Sequence, residues 1–393
     1  MGSVRSVRSA LLACAVLLAT LPAAARELAV GFLSLADDPR YAQQALEKDY
    51  PQAPSGRAAV AAKLALDDAA FTLQAGGFSG ARLVAVEASD MAGLPAALDA
   101  LVKQGVKHVL LELPAAAVAQ VAAAARGKEL ILLNTAAPED ALRAAQCAPN
   151  LLHTLPSHAM QADAIAQFLV ARKWNKPLLL VGPSGGDQLL LAAFGRSAKR
   201  FGLKPVAQRA FKLSADPRER DSANVRLLTA NADYDVVVVL DADGEFARDL
   251  PYRVMLPRPV LGSAGLTAQA WTPWYERNGA PQLSRRFARR AGRAMGSYDW
   301  SAWLAARAVA EAAAGGAGLP QQLKALRQGE IAVDGYKGQR LTFRAWDGQL
   351  RQPLLLSQAN SVVEVAPLEG FLHPRTTLDT LGYDQPDSGC KAP

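Results

Sequence analysis

The pentapeptide Gly182-Pro183-Ser184-Gly185-Gly186 fits the G-x-S-x-G pattern, in which a serine on a sharp strand-to-helix turn becomes a nucleophile. Asp241 or Asp243 and then His373 follow it, in the Ser, Asp, His order of a hydrolase triad. Three observations weaken that chemistry. No His-Gly-Gly stretch lies upstream to supply an oxyanion hole, several strand–helix units precede the serine, and His373 sits in a proline-flanked tail. A glycine-rich turn feeding a helix accounts for the same residues. No Gly-Lys-Ser/Thr follows, so the turn is not a phosphate loop either. Asp241, Asp243 and Glu245 alternate around Gly244 as in a calcium loop, but Tyr252 stands where the bidentate glutamate is required. His153 and His158 lie across Pro156 without metal-ligand spacing. The expectation is no catalytic residue, no metal site and no catalytic cofactor, with a secreted serine hydrolase as the alternative from another class.

What remains are groups that hold a ligand. Arg40 and Tyr41 follow the first apolar run, and Asn134 and Thr135 follow the fourth. Ser157, Ser184 and Asp241 occupy matching places in the second half, and Ser263 sits in the Gly262-Ser263-Ala264-Gly265 turn. Trp271 and Trp274 come next, then Tyr298, Asp299 and Trp300. A tryptophan face stacks well on a flat ring, so Trp271 or Trp274 is the expected stacking surface. Arg40, Arg143 and Arg253 are the candidates to pair ligand carboxylates. Trp303, at helical spacing from Trp300, is expected in the core.

Positioning such groups requires a scaffold, and the hydrophobic pattern describes one. Apolar runs at 28–35, 81–88, 108–113 and 129–134 alternate with helical periodicity at 56–75, 94–104 and 115–126. A second block repeats the pattern, with strands at 177–181, 206–212, 236–240 and 260–261 and helices at 159–171 and 188–201. Helical spacing returns at 267–290, 298–314 and 319–327, and 340–344, 353–357 and 361–365 read as hairpin strands. Strands apolar almost throughout, separated by helices, indicate parallel sheets covered on both faces. The predicted fold is α/β, with two doubly wound lobes and a ligand cleft between them. No linker separates the halves near residue 150, so the lobes share chain crossings. The predicted division is 26–153 with 263–330 in lobe 1, and 154–262 with 331–393 in lobe 2.

The chain has 393 residues, half of them hydrophobic, which is enough for two cores. Arg5 and Arg8, the apolar run 10–21 and Ala23-Ala24-Ala25 read as a cleaved export signal over residues 1–25. Cys14 sits too early in that run for an ordinary lipidation site. The formal charge of +7 includes the two positive charges of Arg5 and Arg8. Arg285, Arg286, Arg289 and Arg290 cluster at the spacing of one exposed helix face, and no basic run is interleaved with aromatics, so no nucleic-acid partner is expected. Cys147 and Cys390 survive processing, and an even count in an oxidising compartment permits one disulfide; the expectation is that bridge, tying the C-terminal tail to the middle of the chain, with two separate thiols as the alternative.

Export, two doubly wound lobes and a late hairpin-rich segment resemble the type I periplasmic substrate-binding proteins of ABC transporters. Five stretches narrow the resemblance: Leu250-Pro251-Tyr252-Arg253, Pro257-Arg258-Pro259-Val260, Trp346 to Pro353 (WDGQLRQP), Glu369-Gly370-Phe371-Leu372-His373 and Leu378 to Tyr383 (LDTLGY). They look like the branch associated with pyrroloquinoline-quinone-dependent alcohol dehydrogenase systems. That resemblance implies the quinone, a planar tricarboxylate, as bound ligand, and a transporter permease or quinoprotein dehydrogenase as partner of a monomeric periplasmic protein. Amino-acid binders of the family hold their ligand with a Ser and Thr pair. Here Leu113-Pro114-Ala115 and Asn134-Thr135-Ala136 stand in those loops, so Thr135 is kept and the serine is not. An amino acid or an alcohol-derived metabolite is the alternative ligand.

Overall fold

The computed structural model describes residues 26–42 and 53–391; the expected export signal lies outside them. The first lobe is a five-stranded parallel sheet of β1 (Arg26–Leu35), β2 (Phe78–Ala88), β3 (His108–Glu112), β4 (Ile131–Asn134) and β5 (Leu151–His153), in the order β2-β1-β3-β4-β5. A short α1 (Pro39–Ala42) follows β1, and α2 (Ala59–Asp68) and α3 (Ala70–Ala75) lead into β2. Then α4 (Leu94–Lys103) and α5 (Ala115–Ala124) make the crossovers to β3 and β4. Side chains alternate across β1, so Val30 and Phe32 pack with α2 while Leu33 and Leu35 pack with α4 and α5. Burial on both faces is what the unbroken apolar runs require.

The second lobe is built the same way. Its parallel sheet has the order β7-β6-β8-β9, from β6 (Pro177–Val181), β7 (Ala207–Ala210), β8 (Val236–Leu240) and β9 (Val260–Gly262). Helices α6 (His158–Ala171) and α7 (Gly185–Phe201) cover one face. The other face carries Tyr234, Leu250 and the stacked rings of Phe211 and Phe246, beside the short α8 (Val225–Leu228). After β9 the chain turns sharply at Gly262 and Gly265, both at positive φ. A Cβ at either would run into the carbonyls of Val239 and Val260, so only glycine fits.

The segment expected as one helix over 267–290 opens instead with a strand, β10 (Thr267–Gln269), and only α9 (Ala280–Ala291) is helical. Pro273 and the positive-φ Gly279 break the run, and β10 gains a partner strand that the local pattern does not reveal. The long α10 (Ser297–Ala314) and α11 (Leu319–Arg327) return to the first lobe, where α10 packs along α2. A small antiparallel pair follows, β11 (Val333–Asp334) with β12 (Arg340–Leu341), so the expected strand 340–344 is cut to two residues. Finally β13 (Leu354–Gln358) pairs with β10 on one side and β14 (Ser361–Ala366) on the other.

Two pieces of the predicted division move. Residues 266–269 were expected in lobe 1, yet Leu266 and Ala268 pack with Leu354, Leu356 and the α6 side chains of the second lobe. Residues 331–350 were expected in lobe 2, yet Val333, Leu341, Phe343 and Leu350 join the core of Phe32 and Trp303. Side-chain burial across the crossings decides both placements, and strand-by-strand periodicity carries no information on it.

The C-terminal tail ties the lobes together. Leu381 is in the second-lobe core, Gly382 N–H donates to Asp163 at 2.7 Å, and Gln167 donates to Thr380 at 3.0 Å. Cys390 then bonds Cys147 on the first lobe, with Cα atoms 5.6 Å apart and a sequence separation of 243. Closing so long a loop restricts the unfolded chain by about 5 kcal/mol in the chain-entropy model. Cys390→Ser should therefore lower the melting temperature of the unreduced protein by several degrees, and reductant should do the same to the wild type. Equal melting curves with and without reductant would show that the bridge adds no stability.

Candidate functional site

In an open parallel sheet the carboxyl ends of the strands and the helix N-termini face the same way, and ligands collect there. Both lobes present these ends to one cleft of about 340 Å³. The first lobe contributes Arg40, Pro54, Pro114, Pro138, Glu139, Ser297 and Tyr298. The second contributes His158, Gln161, Gly186, Leu189, Leu190, Ala242 and Asp243. The floor is the crossing chain itself, Leu155-Pro156 and Ala268-Gln269-Ala270.

Arg40 is fixed before any ligand arrives. Its Nε donates to Asp38 at 2.9 Å, its Nη1 donates to the Ala136 carbonyl at 2.6 Å, and its guanidinium lies 5.7 Å from the centre of the Tyr298 ring. Pro39 starts α1 and so sets the backbone of Arg40 directly. Across from it, the loop carrying Pro138 and Glu139 is held from behind. Asn134 Oδ1 accepts from the backbone of Ala136 and Ala137, while its Nδ2 donates to Ala137 O at 2.8 Å. Arg143 donates to Ala137 O, Glu139 O, Leu155 O and Gln349 Oε1 at 2.8 to 3.1 Å. His158 N–H donates to Pro138 O at 2.9 Å, which brings α6 against the same loop. Burial lowers the His158 ring pKa against the opposing pull of Asp140 and Glu139, so the ring is neutral. Two polar atoms among these residues, Glu139 Oε2 and His158 Nδ1, are buried without a hydrogen-bond partner.

Of the residues singled out from sequence, Arg40 and Tyr298 line this cleft. Ser157 is beside it as N-cap of α6, accepting from Met160 N–H at 3.3 Å. Several others are structural. Thr135 donates to Leu111 O at 3.0 Å, Ser263 accepts from Asp241 N–H at 2.9 Å, and Tyr41 is half-buried with the Arg57 guanidinium 4.0 Å from its ring centre. Asp299 caps α10 and pairs with Arg293 at 2.6 and 2.8 Å. Ser184 caps α7, where its hydroxyl accepts from Asp187 N–H at 3.1 Å and Asp187 accepts from Ser184 N–H at 2.8 Å. His373 is bonded to Asp384 at 2.9 Å in the tail. The serine of the G-x-S-x-G turn is thus a helix cap, and the expected base is engaged elsewhere.

The expected stacking surface and two of the three arginines are corrected. Trp271 is wholly buried in the first-lobe core, its ring 6.1 Å from and nearly parallel to that of Trp300, and it cannot meet a ligand. Trp300 in turn donates to Gly335 O at 3.0 Å and lies beneath Lys337 Nζ, 3.7 Å from its ring centre. Trp274 is half exposed but does not line the cleft. Arg143 is fully engaged by main-chain and Gln349 oxygens behind the loop. Arg253 is exposed on a separate groove beside Leu213 and Arg220. The aromatic wall is Tyr298. Glu139 and Asp243 were missed because they lie in loops just past strand ends, where loop path decides which side chain faces inward, and His158, Gln161 and Leu189 because they lie in the first turns of α6 and α7, whose cleft-facing side the helical period alone does not mark.

Asp241 stands just behind Asp243. Its Oδ2 accepts from Ala247 N–H at 2.8 Å, and burial, with Asp243 and Asp187 nearby, pushes its pKa up to about 7. A carboxyl whose folded pKa is raised stabilises the fold fully below its unfolded value, and that contribution is lost as pH rises through the folded value. Asp241→Asn should therefore gain melting temperature relative to wild type at pH 8 and gain much less at pH 4. A gain independent of pH would show that Asp241 does not titrate in this range.

The fold and cleft have known counterparts. A branched-chain amino acid ABC transporter periplasmic ligand-binding protein of Burkholderia xenovorans superposes with a TM-score of 0.69 at 17% identity, covering 86% of this chain and 95% of that one. A substrate-binding protein of Desulfitobacterium hafniense in complex with Leu gives 0.65 at 16% identity, covering 86% and 100%. A solute-binding protein of Rhodopseudomonas palustris in complex with 3,4-dihydroxybenzoic acid gives 0.63 at 13% identity, covering 84% and 93%. No curated protein matches the sequence. A family model described as periplasmic binding protein matches residues 50–247, the stretch that supplies most of the cleft. The chain therefore belongs to the periplasmic binding protein family, and it is a small-molecule binder, not an enzyme.

Proposed function

We propose that this protein captures a small solute between its two lobes in the periplasm and presents it to an ABC transporter permease. The observation that carries this reading is the cleft, lined by both lobes and floored by the crossings, so that a bound solute touches every part that must move together. Leu189, Leu190 and the prolines at 54, 114, 138 and 156 give it apolar walls, and Tyr298 gives it a flat one. An apolar or aromatic body of modest size suits these walls, in the range of the leucine and dihydroxybenzoate held by relatives. Export by a cleaved segment over residues 1–25 belongs to the same proposal.

Pyrroloquinoline quinone is the second reading, with a quinoprotein dehydrogenase as the receiving partner. The resemblance of the five stretches and the Arg40 guanidinium over Tyr298 favour a planar acid. Against it, three carboxylates would have one arginine, already bonded to Asp38. Arg143 and Arg253, the other intended partners, are respectively buried and remote.

Titration calorimetry of the apo-protein with the quinone, leucine, benzoate and benzyl alcohol tests both. Leu189→Trp adds bulk in the cleft at an exposed position and should weaken any true ligand tenfold or more without lowering the melting temperature. A ligand whose affinity survives Leu189→Trp does not bind here, and failure of the whole panel to bind would overturn the solute reading.

A further inference from the structure

The charge of the cleft narrows the solute, on the reading that this cleft is the binding site. Helix N-termini carry partial positive charge and ordinarily favour anions. Four border this cleft, and three are already occupied by the chain's own carboxylates. Asp140 accepts from Ala159 N–H of α6 at 3.1 Å, Asp187 accepts from Ser184 N–H before α7, and Asp299 accepts from Gly296 N–H before α10 at 3.0 Å. The fourth, α5, begins at Pro114 with no side-chain cap. The one cationic side chain lining the cleft among the described residues, Arg40, is held by the buried Asp38. What is left over is acidic. Glu139 and Asp243 face the cleft from opposite lobes, and neither forms an ion pair among the described residues, Arg143 bonding the Glu139 carbonyl from behind the loop.

Glu139 is the sharper of the two. Its Oε2 is buried without a partner, so the carboxylate is poorly solvated from within, and a cationic donor on its cleft side would offset that cost. His158, whose Nδ1 is likewise buried and unpartnered, lines the cleft beside it. The loop is pinned by Asn134 and Arg143, so the carboxylate cannot easily swing out to water.

We infer that Glu139 is the specificity-determining residue of this cleft and selects a solute bearing a cationic N–H donor, an ammonium or amidinium group, on an apolar or aromatic body. A charge-assisted hydrogen bond forms between that donor and the Glu139 carboxylate where it lines the cleft. A net anion meets two acids and one neutralised arginine, and is disfavoured. A zwitterion is admitted only if its carboxylate reaches the uncapped start of α5.

Benzylamine, benzyl alcohol and benzoate share one ring and differ in charge, so they separate the possibilities. Calorimetry of the full chain should rank benzylamine above benzyl alcohol and benzoate, the latter by about tenfold or more. Glu139→Gln keeps the shape and removes the charge, and should shrink the benzylamine preference by a similar factor. Melting temperature checks that the variant is folded, and Leu189→Trp checks that binding is in the cleft. Benzoate or the quinone binding more tightly than benzylamine, and blocked by Leu189→Trp, would overturn the inference and leave the solute reading standing. An unchanged ranking in folded Glu139→Gln would also overturn it. No binding by any of the three counts against both.

Discussion

The guanidinium of Arg143 is buried with no carboxylate bonded to it, and the geometry of the molecule's working face depends on how it is satisfied. Burial pushes its pKa down to about 10, which still leaves it charged at neutral pH. Its charge is solvated by oxygens of three separate segments: Ala137 and Glu139 of the cleft loop, Leu155 of the first crossing and Gln349 of the last. A charge so placed tolerates no partial solution, because each lost acceptor leaves a buried N–H unpaired. It fixes cleft loop and crossings in one arrangement. Around it the same segments are laced further, with Gln349 Nε2 donating to His153 O and Leu155 O, and Gln352 Nε2 donating to Thr154 O at 2.7 Å. Lys337 Nζ, donating to Gln352 Oε1 at 3.0 Å and facing Trp300, extends the hydrogen-bond network into the first-lobe core.

This arrangement explains why the conspicuous residues of the sequence are not the ligand contacts. The WDGQLRQP stretch supplies Gln349 and Gln352 to the crossings and Arg351 to Asp379, and the LDTLGY stretch supplies Asp379 and the Gly382 amide that meets Asp163. No residue of the five stretches lines the cleft. Three of them describe how a tail and a third crossing are bound to two lobes, and the other two lie in the second lobe at and before β9, so a resemblance resting on them speaks to scaffold more than to ligand. The tryptophans follow the same logic. Stacked Trp271 and Trp300 fill the space under the cleft floor, where large rings bury the most surface.

The sheets were legible because parallel strands buried on both faces leave unbroken apolar runs: HVLLE, PLLLV and VVVVL each stand where the sequence placed a strand. The strand β10 was not, since three residues carry no period and its partner lies far along the chain. At the site, Arg40 could be read because it follows the first apolar run by a few residues, where Pro39 starts a turn of helix. Glu139 could not, because its inward orientation depends on Asn134 and Arg143 bonding the loop from behind, and those bonds are tertiary. The polar residues that looked available, Ser184, Asp299 and Thr135, are the caps and turns that such strand ends require.

Capping and selectivity are therefore one problem in this fold. A two-lobed parallel architecture aims helix N-termini at its cleft whether or not the ligand is anionic, and those termini must be satisfied in the empty protein too. A chain that leaves them to the ligand gains affinity for carboxylates and pays with unsatisfied amides when open. Here Asp140, Asp187 and Asp299 satisfy three of them permanently, and Asp38 does the same for Arg40. The open cleft is then stable without a ligand, and its remaining electrostatic preference is set by whatever acid is left over. Because the caps also fix the loops that carry Glu139 and Tyr298, the residues that neutralise the cleft are the ones that hold its contacts in place.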